Sequence, residues 1–279
     1  MDWNLPVHEI THRKEVFMVP KKIDMYHSHS SLSAWRRCKF RYYLDKVVKR
    51  ETSKSLGLTR GSAGHAAIAD WYLHKDLEQA LEVAWTTYSE GRADVSQEDW
   101  ELLRNVLIRG IEWSEAHDNF KTIKVEHKFE LDIEGHTLLG YIDAVIEWNG
   151  RVWLMEHKFN KRAETAHLDL DPQVSVYLLA GLLEEWEPVG VLYNIFRVSN
   201  GPTAVREPIV RVPVYRSTEG LQYFVEELIA QMGEVEAFME KPYRPYRNMN
   251  ANCAWDCSHK DVCMELNDSG NADHLIGVE

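Results

Sequence analysis

The chain has 279 residues, of which 44% are hydrophobic and 27% charged, a composition typical of a folded globular protein and not of a disordered one. Its net charge of −12 argues against a protein that coats nucleic acid without specificity, but not against one whose positive charge is local. No apolar stretch approaches the roughly 18 residues of a transmembrane helix, and the N-terminus does not resemble a signal peptide, so we expect a cytoplasmic protein without membrane association.

The first part of the chain is predicted to be helical. Residues 1–30 form a lead-in, and helices are predicted over 31–50, with Ser31 or Ser33 as N-cap, over 60–74, and over 76–119 as a helical insertion. Basic and aromatic side chains alternate in the first helix, which suits a strip that follows a phosphate backbone. A solvated helix face is the alternative interpretation. The basic residues that would contact DNA are Arg36, Arg37 and Arg41.

The second part of the chain has the pattern of strands. Strands are predicted over 125–131, 138–148, 151–157, 189–198 and 206–215. Helices are predicted over 172–186, capped by Asp171, and over 221–239. The predicted fold class is therefore α/β (α+β), with a core over 31–240 and a short cysteine-rich segment over 241–279.

The dipeptide Asn149-Gly150 lies between two strands and predicts a two-residue hairpin of type I′. In that register Asp143 lies opposite Glu156, and Lys158 shares the face of Glu156. Carboxylates that converge with an ammonium group are typical of a site for Mg²⁺ or Mn²⁺. A surface salt bridge among these side chains is the alternative, which the apolar flanks of both strands disfavour.

The four cysteines suggest a second metal site. Three of them lie within eleven residues near the C-terminus, and the fourth lies far upstream. In a reducing compartment such cysteines favour metal binding over disulfides. Four thiolates suit either a [4Fe–4S] cluster or a tetrahedral zinc, and the spacing alone does not choose between them. These residues are Cys38, Cys253, Cys257 and Cys263.

The series of motifs resembles the PD-(D/E)XK nuclease superfamily, in particular its RecB-like branch. That branch includes CRISPR-adaptation exonucleases, AddB-type nuclease domains and stand-alone phage exonucleases. Its typical order is a Leu-Ser segment with Cys and Tyr-Tyr, a helical Gly-His, a Gly-x-x-Asp strand, a Glu-x-Lys strand and a Gln-x-x-x-Tyr helix. The matching segments are 32–43, 64–65, 140–143, 156–158 and 173–177. The resemblance implies a restriction-endonuclease-like fold, a mixed central sheet flanked by helices.

The resemblance implies roles for the matched residues. The implied metal ligands are His65, Asp143, Glu156 and the backbone carbonyl of His157. Lys158 would position or activate the attacking water, so that Asp143, Glu156 and Lys158 form the catalytic set. Gln173 and Tyr177, four apart on one helix, would contact the DNA backbone. Glu126 and Glu130, in the strand before the hairpin, are interpreted as structural or peripheral.

The resemblance also favours iron–sulfur over zinc. Many RecB-like nucleases hold a [4Fe–4S] cluster with one cysteine before the nuclease core and three after it. Here three residues separate Cys253 from Cys257, whereas the familiar form has two, so zinc remains an alternative. Such a cluster would tie residues 31–50 to residues 253–263 as a structural staple.

The sequence therefore predicts a metal-dependent DNA nuclease. An exonuclease acting on single-stranded DNA or duplex ends in recombination, repair or phage DNA processing is the leading hypothesis. No Gly-x-x-x-x-Gly-Lys-Ser/Thr loop is present, so we expect no nucleoside triphosphate. A catalytically silent DNA-end-binding subunit with protein partners in a repair or recombination complex, and a restriction-type endonuclease, are the alternatives.

Overall fold

A computed structural model describes residues 26–52, 55–90, 95–240 and 244–276. Most of the predicted lead-in, residues 1–25, lies outside the described residues. The described residues form two compact units, one within Ser53–Leu228 and one from the described parts of Met1–Thr52 and Ile229–Glu279. We call them the larger and the smaller unit. None of the described helices is both long and apolar enough to cross a membrane.

The secondary structure alternates between helical and strand-rich stretches. The helices are α1 (His29–Arg37), α2 (Lys39–Tyr42), α3 (Leu56–His74), α4 (Leu77–Ser89), α5 (Gln97–His117), α6 (Pro172–Leu183), α7 (Pro202–Arg206), α8 (Thr218–Met239), α9 (Lys260–Asp268) and α10 (Asp273–Ile276). The strands are β1 (Tyr26–His27), β2 (Lys121–Ile133), β3 (His136–Trp148), β4 (Arg151–Asn160), β5 (Val191–Arg197) and β6 (Ile209–Val214). A π-helical turn covers Tyr43–Val47, and 3₁₀ turns cover Leu168–Leu170 and Ala251–Ala254.

The sheet of the larger unit is mixed, which confirms the predicted fold class. Strand β3 pairs antiparallel with β2 and β4, β4 pairs parallel with β5, and β5 pairs antiparallel with β6. The Asn149-Gly150 hairpin forms as predicted, because both residues have left-handed φ angles of 52° and 69°. Its register runs from Trp148 opposite Arg151 to Ala144 opposite Met155, one position short of Asp143 and Glu156.

Helices α3, α4 and α5 cover one face of this sheet. Ala144, Met155 and Phe196 of three neighbouring strands are buried in one apolar cluster with Trp71 of α3 and Leu107 of α5. Burial of such side chains stabilises the unit by about 1.5–3 kcal/mol each. The strands that carry the predicted site therefore rest on a rigid apolar layer.

The smaller unit joins segments that are far apart in the sequence. Phe40 and Leu44 pack with Val262 and Ile276 in a separate apolar cluster. The predicted single helix over 31–50 is wrong, because the chain is extended at Cys38 between α1 and α2.

The predicted N-cap of the first helix is also wrong. Ser28 caps α1 and accepts a hydrogen bond from the backbone of Ser31, whose side chain bonds back to the Ser28 backbone. This reciprocal pair is a capping box, and it places the start of the helix three residues before Ser31. The predicted cap Ser33 lies inside the helix.

Candidate active site

Five elements of the larger unit bring polar side chains to one place. Helix α3 carries His65, strand β2 carries Glu126, strand β3 carries Asp143, and strand β4 carries Glu156 and Lys158. The fifth element, α6, adds two further side chains that are described below. The larger unit therefore brings together the predicted catalytic set, the predicted metal ligand His65 and one further residue, Glu126.

Asp143 is the centre of the first half of the site. Its Oδ1 lies 3.2 Å from Nδ1 of His65, and its Oδ2 accepts a hydrogen bond of 2.7 Å from the backbone N–H of His157. Burial raises the pKa of the Asp143 carboxyl, but the hydrogen bonds from His65 and His157 outweigh it and hold that pKa below its usual value. Burial lowers the pKa of His65, whereas its bond to Asp143 and the neighbouring carboxylates raise it above the usual value.

Glu126 belongs to this half of the site, although the sequence analysis interpreted it as peripheral. One ligand atom each of His65, Glu126 and Asp143 lies within 4.8 Å of the other two. Burial and the charges of Asp143 and Glu156 raise the pKa of Glu126 to about 7, against the opposing charge of His65. Glu130 instead lies in an ion pair of 3.6 Å with Lys128.

A sequence signal for Glu126 exists in the turn Glu134-Gly135. Both turn residues have left-handed φ angles, of 51° and 87°. This turn sets Ile133 opposite His136, and the same register continues to Val125 opposite Ala144. The residue that faces Asp143 in that register is Glu126, by the rule that also places Glu156 across from Asp143.

The second half of the site is a closed ring of hydrogen bonds. Lys158 Nζ donates to Oε1 of Glu156 at 2.5 Å and to Oε1 of Gln173 at 2.9 Å. Tyr177 donates from its hydroxyl to Oε2 of Glu156 at 2.6 Å and accepts from Nε2 of Gln173 at 3.2 Å. Gln173 and Tyr177 are predicted from the sequence to contact DNA, and that contact stays a prediction. In the structure both bond to side chains of the predicted catalytic set, and Tyr177 is only 4% exposed.

The electrostatics of this ring favour an additional bound cation. Burial and the neighbouring Asp143 raise the pKa of the Glu156 carboxyl above its usual value, in spite of Lys158. Burial lowers the pKa of Lys158, but Glu156 outweighs it and keeps the ammonium charged. Buried carboxylates this close together are stabilised when a metal ion adds positive charge between them.

Helix α6 is fixed at its N-terminus, where it meets the ring. Asp171 caps the helix, since its Oδ1 accepts from the backbone N–H of Gln173 at 2.9 Å, as the sequence predicted. Its Oδ2 accepts from the Tyr193 hydroxyl at 2.9 Å, and its carbonyl accepts from Arg216 at 3.0 Å. These bonds hold Gln173 against Lys158.

The His157 ring lies on the opposite face of β4 from Glu156 and Lys158, where its centroid is 6.3 Å from that of the His65 ring. Its ring lies 5.7 Å from the ring of Tyr72 and 6.0 Å from that of Phe196, and it is 2% exposed. Burial lowers the pKa of this imidazole to about 4. The backbone N–H of His157 is therefore the part that bonds to Asp143, whereas its ring packs beside the ring of His65.

Two motif glycines make room for aromatic rings beside the site. A Cβ at Gly64 would lie 2.4 Å from the ring of Phe159, and a Cβ at Gly140 would lie 2.3 Å from the ring of Phe129. Real Cβ contacts are never this short. Glycine next to His65 and glycine three residues before Asp143 therefore have packing reasons.

The donor set of the site fits a hard divalent cation. The cluster of His65, Glu126 and Asp143 offers two carboxylates and one imidazole nitrogen as ligands. Glu156 lies outside that cluster, with its two carboxylate oxygens bonded to Lys158 and Tyr177. Mg²⁺ and Mn²⁺ prefer such oxygen-rich sets, and Mn²⁺ tolerates an imidazole well. The closed Lys158 ring keeps an ammonium beside these ligands.

The four cysteines lie together in the smaller unit. Cys38, Cys253, Cys257 and Cys263 all line one cavity of about 260 Å³, and none forms a disulfide. Backbone N–H groups of Asn248 and Asn250 lie 3.4 and 3.5 Å from the sulfurs of Cys38 and Cys253. Burial raises the pKa of the Cys263 thiol.

The arginines predicted to contact DNA are engaged within the smaller unit. Arg36 donates to Gln231 at 2.6 Å, Arg37 pairs with Asp256 at 2.8 Å, and Arg41 pairs with Asp45 at 3.4 Å. Their charges are partly compensated, and their contact with DNA stays a prediction.

Comparisons with known proteins show similarity to a nuclease superfamily and to solved structures. The family model of the PD-(D/E)XK nuclease superfamily matches residues 26–264. A solved structure from Eubacterium rectale, described as a "Putative exonuclease", matches with a TM-score of 0.55 at 13% identity, over 84% of this chain and 87% of that chain. At this identity the likeness concerns the fold alone.

A second solved structure, of a protein called SSO0001, has a TM-score of 0.35 at 15% identity, over 84% of this chain and 94% of that chain. This score is too low to support an argument. No curated protein matches the sequence.

Proposed function

The chain belongs to the PD-(D/E)XK nuclease superfamily, and on that premise we propose that it is a metal-dependent deoxyribonuclease. The observation that carries the proposal is the cluster of His65, Glu126 and Asp143, together with the Glu156 carboxylate bonded to Lys158. We further propose that it belongs to the RecB-like branch and acts as an exonuclease on single-stranded DNA or duplex ends. The order of the motifs and the description of the Eubacterium rectale protein as an exonuclease support this finer assignment.

The proposed reaction is hydrolysis of a phosphodiester. A divalent ion held by Asp143 and Glu156 would lower the pKa of a bound water and polarise the phosphate. Lys158 has three N–H donors, of which two bond to Glu156 and Gln173. The third can donate to the attacking water or to a phosphate oxygen, where an ammonium stabilises the negative charge that develops in the transition state. Tyr177 and Gln173 hold the carboxylate and the ammonium in place for this step.

We also propose a [4Fe–4S] cluster at the four cysteines. The cavity that they line gives room for a cluster, and N–H groups near two sulfurs would stabilise thiolates. Tetrahedral zinc would bring the sulfurs within about 3.8 Å of one another, given bonds of about 2.3 Å. Among the described residues, the groups of three or more ligand atoms within 4.8 Å contain no cysteine, which favours the larger cofactor. Such a cluster needs reduced thiols, so a cytoplasmic location is part of the proposal.

End-labelled single-stranded and duplex DNA, incubated with the protein and Mn²⁺ or Mg²⁺, tests the activity. We expect metal-dependent release of nucleotides from an end, with the label giving the polarity. Glu156→Gln and Lys158→Met should each slow cleavage by about 100-fold or more. Glu130→Gln is the matched control, since Glu130 lies in the same sheet and pairs with Lys128.

Three results would redirect the proposal. A protein that binds Mn²⁺ and DNA ends but cuts neither substrate would be the DNA-end-binding subunit. Internal cuts in closed circular DNA would indicate an endonuclease. Protein purified under anaerobic, iron-replete conditions without absorbance at about 400 nm and without bound iron would contradict the cluster.

A further inference from the structure

We propose that helix α6 is a strut that connects the two halves of the metal site, and that Trp186 and His127 are positioning residues for Glu126. The inference rests on the proposed metal site and goes beyond it. It concerns residues at the C-terminal end of α6, which no motif of the sequence singled out. The N-terminal end of α6 bonds to Glu156 and Lys158, and its C-terminal end contacts residues that flank Glu126.

The N-terminal end of α6 holds the second half of the site. Gln173 accepts from Lys158 at 2.9 Å, and Tyr177 donates to Glu156 at 2.6 Å. These two residues are one helical turn apart, so any rotation of the helix moves both catalytic side chains of β4 together.

The C-terminal end of α6 contacts strand β2 on both sides of Glu126. Glu184 Oε1 lies 3.2 Å from Nε2 of His127, and the ring of Trp186 meets the ring of His127 edge to face at 4.8 Å. Lys124 Nζ lies 4.8 Å from the centroid of the same indole. These contacts hold His127, the residue after Glu126, and Lys124, which lies two residues before it.

Trp186 is itself an extension of the helix. Its backbone N–H bonds to the carbonyl of Gly181 at 2.9 Å, and that of Glu185 bonds to Leu182 at 3.0 Å. Glu185 has a left-handed φ of 60°. This combination is a Schellman motif, which usually employs glycine at the left-handed position and links the residue after it rigidly to the last turn. The indole therefore moves with α6.

Glu126 needs such support because its backbone is strained. Its φ is 46°, a left-handed conformation that a residue with a Cβ adopts at a cost in free energy. Strained conformations persist where surrounding contacts determine them, and they concentrate at functional sites. The contacts of Trp186 and Glu184 with His127 on β2 are the surrounding contacts that hold the Glu126 backbone in this conformation. The result is a carboxylate within 4.8 Å of the ligand atoms of His65 and Asp143.

The consequence is a defined effect on metal binding. Residues that orient metal ligands typically contribute about 10- to 100-fold to metal affinity. If Trp186 is removed, Glu126 is free to leave the strained conformation, and the ligand set loses one carboxylate without any change of a ligand residue.

Calorimetric titration of the purified chain with Mn²⁺, without DNA, tests the inference. We expect Trp186→Ala to weaken Mn²⁺ binding by about 10-fold or more, and Trp186→Phe to retain most of the affinity because a ring still meets His127. Trp85→Ala is the matched control, since Trp85 is a half-exposed tryptophan of α4 that packs on Trp100. It should leave Mn²⁺ affinity unchanged.

A double-mutant cycle with Glu126→Gln shows whether Trp186 acts through Glu126. In the Glu126→Gln background, Trp186→Ala should weaken Mn²⁺ binding by less than threefold, because the ligand that Trp186 positions is already gone. Equal effects of Trp186→Ala in both backgrounds would overturn the inference. So would a variant that melts at a lower temperature but binds Mn²⁺ as the parent does.

The same measurements separate this inference from the proposed function. A parent protein that binds Mn²⁺ but does not cleave DNA would refute the nuclease, while the cycle would still decide the role of Trp186. A parent protein that does not bind Mn²⁺ at all would overturn the strut, because there would be no ligand set to connect.

Discussion

Gly64 and His65 show how a pair of adjacent residues combines packing with chemistry. The ring of Phe159 occupies the space where a side chain at position 64 would begin, and it stacks on Phe196 at 4.7 Å. The same ring lies 5.8 Å from the His65 ring. Phe159 follows Lys158 on β4. Because Gly64 lets the Phe159 ring pack closely on α3, His65 of α3 is held next to the strand that carries Lys158.

Substitution of Gly64 by alanine should therefore damage both stability and the site. The new Cβ meets the Phe159 ring at 2.4 Å, and that ring has little room because it stacks on Phe196. We expect a loss of about 1–3 kcal/mol in the free energy of unfolding, together with weaker Mn²⁺ binding through a displaced His65. Urea denaturation and calorimetry measure the two effects.

Gly61 provides the control on the same helix. A Cβ there meets nothing within 4 Å. Gly61→Ala should stabilise the protein by about 0.5–1 kcal/mol, since alanine is the better helix former, and should leave Mn²⁺ affinity unchanged. Equal behaviour of the two alanine variants would contradict the packing argument.

His157 gives the chain a specific weakness towards acid. Its folded pKa of about 4 lies below the ordinary value of 6.5, so the unfolded state binds more protons between these values. The contribution of His157 to the free energy of unfolding is thus fully present above pH 6.5 and is lost as the pH falls towards 4. His65 has a raised pKa and contributes in the opposite direction, so the two histidines must be separated by substitution.

His157→Phe should remove the contribution of His157 to the loss of stability at low pH. Between pH 7 and pH 5 the parent should lose about 2 kcal/mol more of unfolding free energy than this variant. Denaturation curves at the two pH values check the difference. A variant with the same loss as the parent would mean that the imidazole takes up its proton without leaving the core.

At the scale of single residues, only part of the candidate site can be predicted from the sequence. The positions of the proposed catalytic residues on β3 and β4 follow from one hairpin signal and strand alternation. Glu126 follows only when the second turn, Glu134-Gly135, is used to extend the register to β2. Its left-handed backbone and the grip of Trp186 have no local signal, because they arise from contact between segments about sixty residues apart in the chain.

At the scale of elements, the strands and helices of the larger unit were largely predictable, and the capping of α6 by Asp171 was predicted to the residue. The interrupted helix around Cys38 was not. Helix periodicity continues through that position, and the extended conformation of Cys38 serves contacts with the distant segment around Asn248. The short helix α7 was also missed, since it lies between two predicted strands and its last residue, Arg206, falls in the strand predicted over 206–215.

The cap of α6 allows an element-scale test. Asp171→Ala should lower the free energy of unfolding by about 1 kcal/mol and also reduce the cleavage rate, because Gln173 loses its fixed position beside Lys158. The melting temperature and the rate with single-stranded DNA measure the two effects. We expect the rate constant to fall and the Michaelis constant to change little.

Asp76 caps α4 in the same way and is the matched control. Its Oδ1 accepts from the backbone N–H of Gln79 at 3.1 Å. Asp76→Ala should cost a similar stability without a change in cleavage. If both caps affect cleavage equally, global stability and not the position of Gln173 would explain the result.

At the scale of the whole molecule, the chain divides its tasks between two units. The larger unit holds the ligand set of the proposed nuclease in one contiguous stretch of sequence. The smaller unit gathers Cys38 and the three C-terminal cysteines around one cavity. The predicted division at about residue 240 stays a prediction.

The proposed cluster at the cysteine cavity predicts how the smaller unit would respond to loss of that cofactor. Cys257→Ser should abolish iron binding and make residues 244–276 susceptible to limited proteolysis, because metal binding contributes folding free energy to a small core. Mass spectrometry of the fragments, with iron analysis, checks this. Lys158→Met should keep both iron and protease resistance, and a Cys257→Ser variant as resistant as the parent would show that the apolar cluster suffices.

The core that joins Phe40 to Val262 also has a consequence for synthesis on the ribosome. At about 5–20 residues per second, Phe40 is made roughly 10–45 s before Val262, its partner in that core. The contiguous larger unit can fold during this interval, while the aromatic segment around Phe40 stays without its partner. Nascent chains should therefore be bound by chaperones until the last cysteines emerge, and a translational stall beyond Leu228 should leave a finished nuclease fold attached to an unfinished, aggregation-prone start.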